Sequence, residues 1–193
     1  TAMSAMDDEL REDFGIISDW LLNYEDYLVD YEYRRAQLAE ARETVIDATP
    51  RPSPDDPASG RNSVRTVSDP TGRKGIMLAT LDDLRATERW LEWCQEVEAA
   101  LPWKMQIFLR LRREYRHRRG PHGWTAAVQH RYAQEIAERL GKRVEDVWIE
   151  DRNTFTGWWN RILQFGAIRA AKLGLLRYWA ENLTPEEKAA GSN

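Results

Sequence analysis

Apolar residues between Leu10 and Val45 follow one another at alternating spacings of four and three. The positions on this spacing are Leu10, Phe14, Ile17, Leu21, Tyr24, Leu28, Tyr31, Leu38 and Val45. Such a spacing predicts one long helix over 10–45 that packs against another helix, either within the chain or in an oligomeric coiled coil. Arg35 and Arg42 interrupt the seam, which favours packing within the chain.

A segment rich in proline follows this helix. Residues 48–72 contain five of the eight prolines, and proline lacks a backbone donor and disfavours helix in the residue before it. A loop is therefore predicted here, ended by a helix that starts at Pro70 with Ser68 or Asp69 as its cap. That second helix stops before Pro102. Residues 1–101 would form a helical hairpin in which 10–45 packs antiparallel on 76–101.

Three further helices are predicted in the rest of the chain. They cover about 103–118, 124–140 and 154–173, and Gly141 and Gly174 end the last two. Residues 142–153 are ambiguous. Because no useful alternation of apolar and polar residues occurs, the fold class is all-α. We assign 102–180 to a helix–turn–helix domain and 181–193 to a tail.

Charge is unevenly distributed along this acidic chain, whose formal net charge is -4. Residues 1–50 hold four Arg and thirteen Asp or Glu, whereas 104–177 hold sixteen Lys or Arg and seven Asp or Glu. A basic half of this size indicates a polyanion, most commonly nucleic acid. The alternatives are a solvated surface or electrostatic pairing of the two halves with each other.

Six of the twelve residues in "LRLRREYRHRRG" (109–120) are arginine. At 3.6 residues per turn, Arg110 and Arg113 lie opposite the side formed by Phe108, Leu111 and Tyr115. Arg112 and Arg116 fall nearer the apolar side and suit packing or ion pairing. The predicted contacts to DNA phosphates are Arg110, Arg113, Arg118, Arg119, Arg143 and Arg152.

The last predicted helix suits the major groove of DNA. Trp158, Trp159 and Ile162 can bury against the preceding helices, which leaves Asn160, Arg161 and Gln164 pointing outward. Asn and Gln form paired hydrogen bonds with adenine, and Arg does so with guanine. A second register, with the groove helix starting near Val144, stays open because the segment from Trp124 to Thr154 is longer than a compact helix–turn–helix needs.

Signals for enzyme chemistry are weak. His117, His122 and His130 are not spaced as a metal site, and the chain has no phosphate-binding glycine loop and no nucleophile elbow. Cys94 is the one cysteine and sits among apolar helical neighbours, so we interpret it as a core residue. We predict no enzyme, metal or cofactor. Without a membrane-length apolar run or a signal segment, we expect a cytoplasmic protein that binds no membrane.

Several short motifs resemble the phage late-gene transcriptional regulators of the ArpU and RinA type. They are "NYEDY", "SDPTGRKGIMLA", "ERWLEWCQEVEAALP", "GWTAAVQ", "AQEIAERLG" and "AAKLGLL". The resemblance covers roughly 18–176 and implies a C-terminal helix–turn–helix similar to the promoter-binding domain of sigma factors. By position, it implies base contacts from Thr154, Thr156, Asn160, Arg161 and Gln164.

The resemblance also implies a role in transcription of phage packaging, structural or lysis genes. The expected partners are double-stranded DNA, RNA polymerase and a second copy of the chain in a homo-oligomer. One alternative is a small terminase subunit, which would assemble as a ring of about eight or more protomers on packaging DNA. Another is a helical interaction protein whose basic half binds an acidic protein surface.

Overall fold

The computed structural model describes the backbone of 2–47, 70–119 and 123–176, and the side chains of 11–41, 75–119 and 123–176. Within these ranges the chain forms six α-helices and no strand, so the all-α prediction is confirmed. The helices are α1 (Ala2–Leu22), α2 (Tyr24–Asp47), α3 (Pro70–Ala100), α4 (Trp103–Glu114), α5 (Gly123–Leu140) and α6 (Asn153–Lys172). A short 3-10 helix covers Val144–Val147.

Most predicted helix ends agree with the structure. Helix α3 begins at Pro70, α5 ends before Gly141, and α6 ends two residues before Gly174. Gly141 has φ 62°, a left-handed conformation that glycine adopts without strain. Ser68, Asp69, the tail 181–193 and nearly all of the proline-rich loop lie outside the described residues.

The prediction of one continuous helix over 10–45 is wrong, because the helix breaks at Asn23 between α1 and α2. Inside an unbroken helix, the carbonyl of Leu21 would accept a hydrogen bond from the N–H four residues later. Here that carbonyl accepts a hydrogen bond from Nε of Arg113 at 2.7 Å. Asn23 Nδ2 donates to Asp19 Oδ1 at 2.8 Å, so the side chain of the break residue is held against the last turn of α1.

The chain divides into two compact units, Asp26–Arg89 and the combination of Thr1–Glu25 with Trp90–Asn193. In the unit Asp26–Arg89, Tyr31 Oη donates to Glu88 Oε1 at 3.0 Å, and Arg34 Nη1 lies 2.8 Å from Asp83 Oδ2. These contacts run antiparallel, as the hairpin prediction expects for this stretch. The complete hairpin and the domain boundary after Leu101 stay predictions.

The larger unit holds most of the buried core. Trp93, Phe108 and Phe155 are its largest fully buried side chains. Trp93 Nε1 donates to the carbonyl of Gly166 at 3.1 Å, so α6 lies directly on the indole. A Cβ atom on Gly166 would stand 2.9 Å from Cζ2 of Trp93, which explains why glycine occupies this position.

Cys94 belongs to the same core, as predicted. Its side chain is fully buried, and Sγ lies 3.5 Å from the carbonyl oxygen of Trp20. Burial raises the pKa of the thiol to about 12. The reactive thiolate is therefore scarce at neutral pH, and Cys94 acts as a packing residue.

Aromatic rings join α4, α5 and α6. Phe108, Tyr132, Phe155 and Trp158 form a cluster in which neighbouring centroids lie 5.3 to 5.9 Å apart. Most of these pairs meet edge to face, the favoured arrangement of aromatic quadrupoles. The adjacent Trp159 is also buried. Trp158 is half-buried, and both tryptophans pack against the protein interior, as the sequence predicted.

Candidate nucleic-acid interface

The connection between α5 and α6 fixes where the candidate groove helix starts. After Gly141, the N–H of Lys142 donates back to the carbonyl of Ala137 at 2.9 Å and closes α5. Only the four residues Val144–Val147 then turn, and Trp148 has extended backbone with φ -67° and ψ 131°. The alternative register with a groove helix starting near Val144 is therefore wrong, and α6 starts at Asn153.

Gln129 holds this extended connection against α5. It is 4% exposed, and its Nε2 donates to the carbonyl of Ile149 at 2.6 Å. Its Oε1 accepts a hydrogen bond from Nε of Arg152 at 2.9 Å. We did not predict this role, although a glutamine on the same face as Val128, Tyr132 and Ile136 was a visible signal of a buried polar contact.

The start of α6 is capped by the same connection. Asp151 Oδ1 accepts a hydrogen bond from the backbone N–H of Asn153 at 2.9 Å. This bond satisfies one of the donors that the first turn of a helix leaves without a partner. Helix α6 is therefore positioned at its amino end by Gln129 and Asp151.

The outer face of α6 carries most of the residues predicted to contact bases. Its members, which we call the outer face from here on, are Thr156, Asn160, Arg161 and Gln164, and all four are exposed. Within the described part of the chain, their side chains form no hydrogen bond or ion pair. Thr154, the fifth predicted residue, is half-buried at the edge of this face. Phe155, Trp159 and Ile162 are buried on the other side of the helix.

Arg113 corrects the sequence interpretation of α4. We expected it to face away from the apolar side, but it is 7% exposed. Its Nη1 pairs with Glu98 Oε2 at 2.6 Å, its Nε bonds the Leu21 carbonyl, and its guanidinium lies 5.0 Å from the centroid of the Tyr24 ring. The helical spacing assumed one covered side, whereas α4 is covered by other elements on several sides. Arg113 is thus occupied by intramolecular contacts.

Arg112 is buried as well, on the apolar side that its position predicted. Its guanidinium lies 4.3 Å from the centroid of the Trp124 ring and 5.2 Å from that of Trp159. Nε and Nη1 are buried without a hydrogen-bond partner among the residues that the structure describes. Burial lowers the pKa of Arg112 to about 10, so the group stays cationic at neutral pH. Contact with the two ring faces is what compensates the buried charge.

The other predicted phosphate contacts are exposed. Arg110 pairs with Glu135 of α5, and Arg143 Nη2 lies 3.0 Å from Asp146 Oδ1. Arg118 and Arg119 follow α4, and neither side chain has a polar partner among the described residues. Arg152 is exposed and bonded to Gln129. Five of the six predicted arginines therefore have solvent-exposed side chains, and two of them have no polar partner among the described residues.

Comparison with known proteins gives no match: no family model, no curated protein and no solved structure is significantly similar to the chain. The resemblance to late-gene regulators of the ArpU and RinA type therefore stays a prediction based on the motifs. Among the helices that the structure describes, none combines the length and the apolar character needed to cross a membrane.

Proposed function

We propose that the chain is a double-stranded DNA-binding transcriptional regulator whose α6 reads bases in the major groove. The observation that carries this proposal is the outer face of α6. Its four side chains are exposed without partners in the described residues, while the opposite side of the helix is locked into an aromatic core. A rigid helix with a polar, unoccupied face is what direct readout needs.

The chemistry of the outer face matches the edges of base pairs. Asn160 and Gln164 suit adenine, Arg161 suits guanine, and Thr156 suits either a base edge or the methyl group of thymine. Thr156 and Gln164 are eight residues apart, which corresponds to about 12 Å along a helix. The groove is about 12 Å wide and admits a helix, whose diameter with side chains is about 10–12 Å.

Phosphate contacts would come from the exposed arginines. Arg118 and Arg119 are the strongest candidates because their side chains have no polar partner in the described chain. Arg110, Arg143 and Arg152 would have to share or exchange their present partners. Such contacts supply affinity and register, while the outer face supplies sequence preference.

The resemblance to phage late-gene regulators gives the proposal its biological direction. The chain would act in the cytoplasm of a phage-infected or lysogenic bacterium, on genes for packaging, structure or lysis. RNA polymerase and a second copy of the chain are the further partners in this proposal. Half-sites in an operator would reflect the symmetry of such a dimer.

Selection of DNA from a random duplex pool at low salt tests the proposal. We expect enrichment of a defined sequence. Replacement of Arg161 by Ala should then weaken binding to the selected site by about 5- to 150-fold, equivalent to 1–3 kcal/mol, and weaken binding to random DNA much less. The matched control is Arg85→Ala, which removes an exposed arginine from α3 in the other unit.

The outcomes separate the roles of Arg161. Equal losses on selected and random DNA would place it among phosphate contacts, and no loss would remove it from the interface. Failure to enrich any sequence, together with no binding to duplex DNA at low salt, would contradict the proposal and favour a protein-interaction role. A ring of about eight or more protomers on the selected DNA would instead indicate a small terminase subunit.

A further inference from the structure

A cavity of about 530 Å³ lies next to the connection that positions α6. Its apolar lining includes Met105, Ile136, Leu140, Val147, Ile149 and Trp158. These residues come from α4, α5, the 3-10 helix, the extended connection and α6. The volume falls within the range of about 300–1,000 Å³ that is typical of small-molecule sites.

Charged side chains lie beside this apolar lining, two of them lysines and one an aspartate. Lys104 and Lys142 both line the cavity and are exposed, and neither has a carboxylate partner among the described residues. Asp146, the acid among the described lining residues, is already paired with Arg143 at 3.0 Å. The cavity therefore offers two lysines without a carboxylate partner in the described chain and one aspartate that is paired with an arginine.

Tyr132 adds a hydrogen-bond donor to the cavity. Its exposed fraction is 3%, because the residue packs within the aromatic cluster. It also lines the cavity. Its hydroxyl forms no hydrogen bond within the described chain, and the oxygen is not fully enclosed by protein, so a molecule in the cavity can reach it. Burial raises the pKa of Tyr132 to about 12, so the phenol keeps its proton at neutral pH and can donate it.

We propose that this cavity binds a small carboxylic acid with an apolar body, an aryl- or alkyl-carboxylate. The apolar part would lie against Ile136, Ile149 and Trp158. The carboxylate would accept a hydrogen bond from Tyr132 and pair with Lys104 and Lys142. Binding involves no covalent step.

Occupancy of the cavity has a structural consequence for α6. Val147 and Ile149 belong to the connection that Gln129 holds, and Trp158 is part of α6 itself. A bound acid would add contacts among α5, the connection and α6, and so favour one position of the outer face. The acid is thus an effector of DNA binding, a consequence that rests on the proposed function, whereas binding of the acid itself does not.

Isothermal titration of the full chain with phenylalkanoates and with hexanoate to decanoate tests the site in the absence of DNA. The matched primary alcohols keep the apolar body and remove the charge. We expect saturable binding of at least one member, phenylbutyrate being the reference, with the alcohols about tenfold weaker or more. No binding by any acid of the two series, or equal binding of acids and alcohols, would overturn the proposal.

Variants assign the binding to this cavity. Lys104→Met combined with Lys142→Met should weaken phenylbutyrate about tenfold or more and leave the affinity for phenylbutanol within about twofold. Lys172→Met is the control, since this exposed lysine does not line the cavity. Tyr132→Phe keeps the ring and loses no hydrogen bond of the described chain, so the variant should fold. It should weaken the binding of phenylbutyrate and leave that of phenylbutanol unchanged. Wild-type affinity in both variants would overturn the site.

Coupling to DNA is measured separately, with the selected duplex. Saturating phenylbutyrate should change DNA affinity by about fivefold or more, and DNA should change the affinity for the acid by the same factor. Acid binding without any DNA binding would support the cavity and contradict the proposed function. Binding of both ligands without coupling would overturn the effector role.

Discussion

The arginine-rich segment 109–119 and the outer face of α6 look alike as sequences, since both place polar side chains on an amphipathic helix. In the structure they differ. Arg112 and Arg113 turn inward, where they contact tryptophan rings, a carbonyl oxygen and Glu98. Asn160, Arg161 and Gln164 turn outward and form no hydrogen bond or ion pair with a described residue. A basic cluster in the sequence therefore does not by itself define a binding surface.

The difference arises from how many sides of each helix are covered. Ile107, Phe108, Leu109 and Leu111 are all buried, so apolar residues surround most of α4. An arginine on a covered side of such a helix must find partners inside the protein, because a buried charge without them is costly. On α6 the polar side chains of the first three turns share one uncovered face and remain available to a ligand.

The largest expected effect is on Arg113. Its replacement by Met should lower the free energy of unfolding by about 3 kcal/mol, because it leaves Glu98 and the Leu21 carbonyl without their partner. Urea denaturation measures the change. Arg118→Met, at an exposed position, is the control and should leave stability nearly unchanged. A similar small change in both variants would mean that Arg113 is no more structural than Arg118.

Two glycines on opposite sides of α6 test whether one face of this helix is covered and the other is open. Gly166→Ala should destabilise the protein by about 1–3 kcal/mol, because the new Cβ meets the buried ring of Trp93 at 2.9 Å. Gly157→Ala should stabilise it by about 0.5–1 kcal/mol, since no described atom lies within 4 Å and alanine favours helix. Thermal unfolding of both variants gives the signs. Destabilisation by Gly157→Ala would indicate that this face is covered.

Replacement of Arg118 and Arg119 tests the predicted contacts to DNA phosphates. Changing both to Gln removes two exposed charges and should reduce the slope of log affinity against log salt by up to about two, on selected and random duplexes alike. Arg110→Gln should have a smaller effect because Arg110 already pairs with Glu135. An unchanged slope in the double variant, with its circular dichroism intact, would reject these two phosphate contacts.

The smallest expected effect is that of Arg112→Met. Methionine can fill the space between Trp124 and Trp159, and it removes a buried charge whose Nε and Nη1 have no hydrogen-bond partner in the described part of the chain. Loss of the two ring contacts and loss of the desolvation cost should offset, so stability should stay within about 1 kcal/mol of the wild type. A loss as large as that of Arg113→Met would show that both arginines are equally structural.

Much of the secondary structure was predictable because its signals are local. Pro70, Gly141 and Gly174 act through backbone conformation and need no distant partner. The break at Asn23 was not predictable, because it depends on Arg113, ninety residues further along the chain. For the candidate site, the spacing of Asn160, Arg161 and Gln164 sufficed to place them on one exposed face. Gln129 and its bonds to the connection were missed because they require α5 and the connection to be in contact.

The sequence by itself determined the all-α class, most helix ends and the polar face of α6, since these follow from backbone preferences and from the 3.6-residue period. Only the tertiary structure decided which arginines are buried. Arginine carries its charge on a long apolar stem, so its position on a helix does not fix whether it enters the interior or solvent. That choice depends on the carbonyls, carboxylates and aromatic rings that other helices bring within reach, as Leu21, Glu98 and Trp124 show here.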